Sequence, residues 1–127
     1  MTKSTGHDAA ARRKAEIAGR RAEQLAALAL RFKGCRILAQ RFRAPVGEVD
    51  IVAQRGRLLI FAEVKTRHQL SDAVEAVTGK NRRRVERAAD AYLARNPHLA
   101  DCSIRYDIIA VSRLRIRHLT DAWRPDP

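Results

Sequence analysis

Gly47-Glu48-Val49-Asp50-Ile51-Val52, a turn at Arg55-Gly56, and then Leu58-Leu59-Ile60-Phe61-Ala62-Glu63-Val64-Lys65-Thr66-Arg67 form the stretch whose reading decides the fold. Two short runs rich in Val and Ile flank a Gly-containing turn, the pattern of a β-hairpin. Asp50, Glu63 and Lys65 interrupt runs that otherwise belong in a core. An ionised side chain buried there costs several kcal/mol, on the order of a domain's whole stability margin, unless a partner compensates it. Charges kept at that cost point to a chemical use.

Side chains alternate along a strand, so Leu59, Phe61, Glu63 and Lys65 share one face. A two-residue loop at Arg55-Gly56 pairs Gln54 with Arg57, sets Asp50 across from Phe61 and Glu48 across from Glu63, and leaves Asp50 diagonal to Glu63 at about 7 Å. One bulged residue would turn Asp50 to the other face, so the convergence depends on the register. Two carboxylates that close repel unless a cation lies between them. A hard divalent ion such as Mg²⁺ takes one or two carboxylates and keeps several waters. One retained water can be a nucleophile, and Lys65 can orient it or offset the charge developing on a phosphate.

Asp followed by Glu-x-Lys on the next strand is the pattern of the P-D-(D/E)-x-K nuclease superfamily, here Asp50 and Glu63-Val64-Lys65. The longer string, Gly47 to Val52 with Phe61-Ala62-Glu63-Val64-Lys65-Thr66-Arg67, closely resembles the YraN-like family of small bacterial proteins, regarded as endonucleases akin to archaeal Holliday-junction resolvases. Gly19-Arg20-Arg21-Ala22-Glu23 is similar to that family's first helix. Lys80, Arg83 and Ala88-Ala89 are similar to its second helix, and Arg105-Tyr106-Asp107-Ile108-Ile109 to its late strand. The likeness covers about residues 19–123. Val49 and Ala62 stand where the family more often has Ile and Val.

The resemblance implies a restriction-endonuclease-like α/β fold, a single domain with a mixed sheet flanked by helices. It implies Mg²⁺ or Mn²⁺ held by Asp50 and Glu63 with the Val64 carbonyl, Lys65 acting at the water or the phosphate, and Glu23 completing the site.

At 127 residues the chain suits one domain with one core. Lys and Arg number 26 against 14 Asp and Glu, a formal charge of +12, and the sequence pI is about 11.1. That bias favours a polyanion, DNA first. The basic stretches carry Ala and few large apolar residues, which suits a lipid surface poorly. No apolar run approaches about 18 residues and the amino terminus lacks a secretory core, so no membrane partner and a cytoplasmic location are expected. Cys35 and Cys102 have no Cys or His at ligand spacing and read as small core residues. One Trp, two Tyr and three Phe give little material for base stacking.

Along the chain, residues 1–11 lack periodicity and are expected to be disordered, residues 12–123 to form the domain, and residues 124–127 to be a loose tail. A helix is expected over about 9–31, with Ala18, Ala22, Leu25, Ala29 and Phe32 on its core stripe and Gly34 as its left-handed cap. Glu23 lies across from that stripe with Ala26, Ala27 and Leu30. It is either a solvated glutamate or, as the resemblance favours, a third carboxylate facing the hairpin. A strand is expected over 35–43. Glu48 is either a strand-end glutamate or a neighbour of the metal patch.

Ser71-Asp72 predicts a short helix through Val77, and a second helix runs from about Gly79 to Arg95 with Val85, Ala88, Ala89, Tyr92 and Leu93 inward. Arg67, Lys80, Arg82, Arg83, Arg84 and Arg87 are the candidate nucleic-acid contacts. Cations crowded into the first half of a helix oppose its dipole, so a structural purpose is less attractive than an anionic ligand. His68 is a loop histidine rather than a base. Residues 103–111 form a strand in which Asp107 pairs with an arginine or a backbone N–H. Residues 115–119 add an edge strand, and Trp123 covers one end of the core.

The expected function is a Mg²⁺- or Mn²⁺-dependent endonuclease acting on DNA, branched DNA included, with a homodimer if two strands are cut symmetrically. The rival is a non-catalytic basic nucleic-acid-binding module on the same fold, which accounts for the charge but leaves Asp50, Glu63 and Lys65 without a purpose.

Overall fold

A computed structural model describes the backbone of residues 2–127 and the side chains of residues 8–127. Its elements are α1 (Thr2–Phe32), β1 (Arg36–Ala44), β2 (Gly47–Arg55), β3 (Leu58–Lys65), α2 (Leu70–Ala76), α3 (Gly79–Arg95), a 3-10 turn (Pro97–Leu99), β4 (Ser103–Ser112) and β5 (Arg115–Trp123). The strands form one five-stranded sheet in the order β1-β2-β3-β4-β5. Only β3 and β4 are parallel, joined by the crossover through α2 and α3. The fold is the expected α/β single domain, a mixed sheet flanked by helices.

Alternation along the strands supplies both faces of the sheet with apolar side chains. Val52, Leu59, Phe61, Tyr106 and Ile108 pack with Ala73, Val85, Ala88 and Tyr92 of α2 and α3. Ile51, Ala53, Ile60, Ala62 and Ile109 pack with Ala22, Ala26, Ala27 and Leu30 of α1. Each fully buried Leu, Ile or Phe contributes about 1.5–3 kcal/mol, so two such clusters can carry the burial of a few charged groups.

α1 begins at Thr2, inside the stretch whose composition argues against order, and ends in the expected glycine cap. Gly34 has φ +88, its N–H donates to Arg31 O at 3.0 Å, and the Cys35 N–H donates to Leu30 O at 3.0 Å. The inward stripe is not the expected one. Ala22, Ala26, Ala27 and Leu30 are buried, while Phe32 is 84% exposed and Ala18 is exposed. The small residues allow α1 to lie close on the sheet, and that rotation turns Phe32 outward and Glu23 inward.

α2 starts at Leu70, so Ser71 and Asp72 sit in its first turn and the N-cap is Gln69, without a side-chain bond. The better cap belongs to α3. Thr78 Oγ1 accepts from Asn81 N, and the Asn81 side chain accepts from Thr78 N, a reciprocal capping box. Val85, Ala88, Ala89 and Tyr92 are buried as expected. Gly47 lets α3 approach the sheet: a Cβ there would lie 2.3 Å from the Arg84 carbonyl oxygen and 2.6 Å from Ala88 N.

At the far edge, β5 runs to Trp123, longer than the expected 115–119, and Trp123 stacks on Tyr106 with ring centroids 5.1 Å apart. Asp107 is fully buried and paired as expected. It accepts from Arg105 Nε and NH2, both at 2.9 Å, from Asp121 N at 3.0 Å and from His118 Nε2 at 2.7 Å. Burial works against its ionisation, but the bonds from His118, Arg105 and Asp121 hold it below the usual carboxylate range. Lys33 Nζ lies 2.7 Å from His118 Nδ1 on the other side of the ring.

Candidate functional site

The hairpin closes one step later than the sequence suggests. Arg55 pairs with Leu58 and Gln54 with Leu59, so the turn is Gly56-Arg57 and not Arg55-Gly56. Gly56 takes φ +60 at the first turn position, where a two-residue hairpin most needs a glycine. The shift is two residues, so parity survives and Asp50 and Glu63 meet. They are level with each other instead of diagonal, and Glu48 does not face Glu63.

Asp50 sits where the sheet is interrupted on both sides. β2–β3 pairing ends at Ile51 with Ala62. On the other side pairing passes from Gln40–Ile51 to Phe42–Val49, over Arg41, whose φ is +55. The faces slip there as well, since Val49 and Val52 both join the α3-side cluster. With the ladder open, Asp50 Oδ2 accepts the Val64 N–H at 2.8 Å, and Asp50 N donates to Glu63 Oε1 at 3.4 Å. Irregular backbone of this kind collects at functional sites.

Burial pushes the Asp50 carboxyl up to about 6, against the Val64 hydrogen bond, while the Glu23 charge raises it further and Lys65 draws it down. Burial pushes Glu63 up to about 8, with the Asp50 charge adding to the rise and Lys65 opposing it. The two titrate as a pair. Lys65 is half-buried at the end of β3 and makes no ion pair within 4.0 Å among the described residues. Its ammonium is therefore held near two carboxylates yet free to meet a third anionic group.

Glu16, Arg20, Glu23, Arg41, Glu48 and Asp50 line an open cleft of about 420 Å³ between α1 and the β1–β2 edge. Glu23 does look inward, at 13% side-chain exposure, but its carboxylate is taken by Arg41 Nε at 2.7 Å. Glu48 bonds Arg84 NH2 at 3.1 Å and lies 3.7 Å from Arg43 Nε, a tie between β2 and α3. Among the described residues no three His, Cys, Asp or Glu side chains gather as a ready cage for a metal ion. The hard oxygen donors close enough to share one cation are thus Asp50 and Glu63, each of which also accepts one backbone N–H.

The candidate nucleic-acid residues divide. Lys80, Arg83, Arg84 and Arg87, at helical spacings of three and four, form one exposed stripe of α3. Arg84 joins that stripe to the cleft through Glu48. Arg82 leaves the stripe: it is half-buried with its guanidinium 5.5 Å from the Trp123 ring centroid, a packing contact. Arg67 is exposed just beyond Lys65. Sequence reasoning missed Arg41, because its contact with Glu23 needs a left-handed residue inside a strand, and no turn residue marks that position.

The sequence profile described as Uncharacterised protein family UPF0102 matches residues 22–111. The UPF0102 protein of Paramagnetospirillum magneticum is 49% identical over 97% of this chain and 95% of its own length. That of Parvibaculum lavamentivorans is 50% identical over 84% of this chain and 81% of its own. That of Chelativorans sp. is 51% identical over 79% and 81%. No described helix is long and apolar enough to cross a membrane.

Proposed function

This chain belongs to the UPF0102 family, that of the YraN-like proteins, and from that premise and the geometry of the cleft we propose that it is a metal-dependent endonuclease acting on DNA. One observation carries the reading: the buried carboxyls of Asp50 and Glu63, with the Asp50 N–H reaching Glu63 Oε1, feel each other's charge at a break in the sheet, at a cost to the fold, with Lys65 near enough to oppose it. The basic binding module without turnover accounts for the +12 charge but gives no reason to bury two adjoining carboxylates.

Asp50, Glu63 and the Val64 carbonyl are the donors that would hold Mg²⁺ or Mn²⁺, ions that accept few protein oxygens and keep the rest of their shell as water. Such an ion lowers the pKa of a bound water and offsets charge on a phosphate. The donor set fits, because carboxylates held partly protonated by burial and mutual repulsion gain most from a cation. Glu23 joins only if Arg41 releases it. Lys65 binds and steadies the anionic oxygens of the phosphate, with an ammonium that no carboxylate occupies. The α3 stripe and Arg67 hold the backbone phosphates on either side. Among the described residues there is one such centre, so cutting two strands symmetrically takes two copies.

Calorimetry with Mg²⁺ or Mn²⁺, run beside a cleavage assay on branched and linear DNA, tests the assignment. Asp50→Ala is expected to lose both metal binding and cleavage and to remain folded. Equal metal affinity in wild type and Asp50→Ala would contradict the donor set. Tight, salt-dependent DNA binding without any metal-dependent cleavage would favour the binding module.

A further inference from the structure

α1 separates the cleft, lined by four carboxylates and three arginines, from a second concavity whose charged lining is basic alone. Glu16, Arg20 and Glu23, at helical spacing, line the cleft. Arg21, Ala22 and Leu25, on the other flank, line a pocket of about 330 Å³. Its floor is apolar, with Ala22, Leu25 and Val111, and its rim carries Arg21, Arg67 and Arg113. No acidic side chain lines it. None of the three guanidiniums makes an ion pair among the described residues. Three exposed cations at one rim have no acidic neighbour to neutralise them, and an anion held between them would.

Two further features tie the pocket to the cleft. Thr66, Arg67 and His68 follow Lys65 directly, and Lys65 pairs with Ala110, two residues before Ser112. His68 Nδ1 lies 3.1 Å from Ser112 Oγ, which fixes the β3–α2 loop to the end of β4. Arg113 holds φ +54 at the first position of the β4–β5 turn, where glycine fits without strain. An arginine there is strained, which a side chain required at the rim would explain.

We propose that this pocket is a second phosphate-binding subsite for a DNA strand, with Arg21, Arg67 and Arg113 clamping a backbone phosphate as the strand passes over α1 from the cleft. The inference rests on the DNA-binding part of the proposed function and not on cleavage. Bidentate guanidiniums suit a phosphodiester better than a point charge does. The apolar floor accommodates the sugar attached to it. Leu114, 85% exposed at the tip of the same turn, then borders the bound strand.

The test is DNA binding in EDTA, measured by fluorescence anisotropy on a four-way junction and a linear duplex across a salt series. Arg21→Ala with Arg113→Gly is expected to lower affinity about tenfold or more and to flatten the salt dependence by roughly two ion equivalents. That variant should melt at or above the wild-type temperature, because glycine relieves the Arg113 strain. Arg36→Ala with Arg57→Ala removes the same charge at the opposite end of the sheet and is expected to change affinity less than twofold. Equal losses in the two variants, or no loss in the first, overturn the subsite. Cleavage by the wild type with Mg²⁺ or Mn²⁺, assayed separately, keeps the two proposals apart: a wild type that binds in EDTA through this pocket but never cleaves removes the nuclease and leaves the pocket standing.

Discussion

Glu63 keeps its proton in the folded chain up to about pH 8, whereas in the unfolded chain it ionises near 4.5. Between those values the folded state binds more protons, so this group's contribution to stability is complete below pH about 4.5 and is lost as pH rises through about 8. Asp50, raised to about 6, acts in the same direction. Thermal melts in EDTA are therefore expected to show wild type losing stability from pH 5 to 8.5, with Glu63→Gln flatter and melting several degrees higher at the alkaline end. Parallel curves would remove the buried pair from the account. These residues were legible because a charge inside an apolar run is conspicuous. Asp107 was legible for the same reason, and its arginine stands two positions away. The Arg41–Glu23 pair was not, since it joins residues from different elements through a backbone kink that Arg41 does not announce.

At the scale of elements, the strands, the α3 core face and the Gly34 cap follow from alternation, helical spacing and glycine chemistry. The hairpin register and the α1 stripe do not. Sequence spacing sets Gly56 second in the turn whereas its positive φ puts it first, and only the even size of that shift keeps Asp50 with Glu63. On α1, large apolar residues drew the stripe towards Phe32, whereas close packing of Ala22, Ala26 and Ala27 decided it. The same principle of close approach governs α3 and β2 at Gly47. Gly47→Ala forces its Cβ against the Arg84 carbonyl and Ala88 N, so α3 must shift. Overpacking against backbone is expected to cost about 2–3 kcal/mol in a denaturant melt. It should also weaken DNA binding, because Arg84 and the stripe it belongs to move with the helix. Unchanged stability would mean that α3 does not rest on β2 as described.

Across the whole molecule, a cleft holding Glu16, Glu23, Glu48 and Asp50 is set into a chain of formal charge +12. In the proposed function, basic surface outside would gather the phosphate backbone, and acidic groups at the break in the sheet would gather the cation that permits chemistry on it. The sequence told of both charges and of their neighbourhood, but not of the wall between cleft and pocket. That wall exists only because opposite flanks of one helix meet opposite sides of the sheet end. Lys65 separates cleavage from mere binding, since it is neither a proposed metal donor nor part of the basic stripe. The deciding measurement is single-turnover cleavage of a branched DNA by wild type, Lys65→Ala and Lys65→Arg, with metal and DNA affinities taken on the same preparations. The account predicts cleavage lower by roughly two or more orders of magnitude in Lys65→Ala, no rescue by the broader guanidinium, and metal and DNA binding within a small factor of wild type. Full activity in Lys65→Ala would contradict it, and so would a modest loss of DNA binding that Lys65→Arg restores.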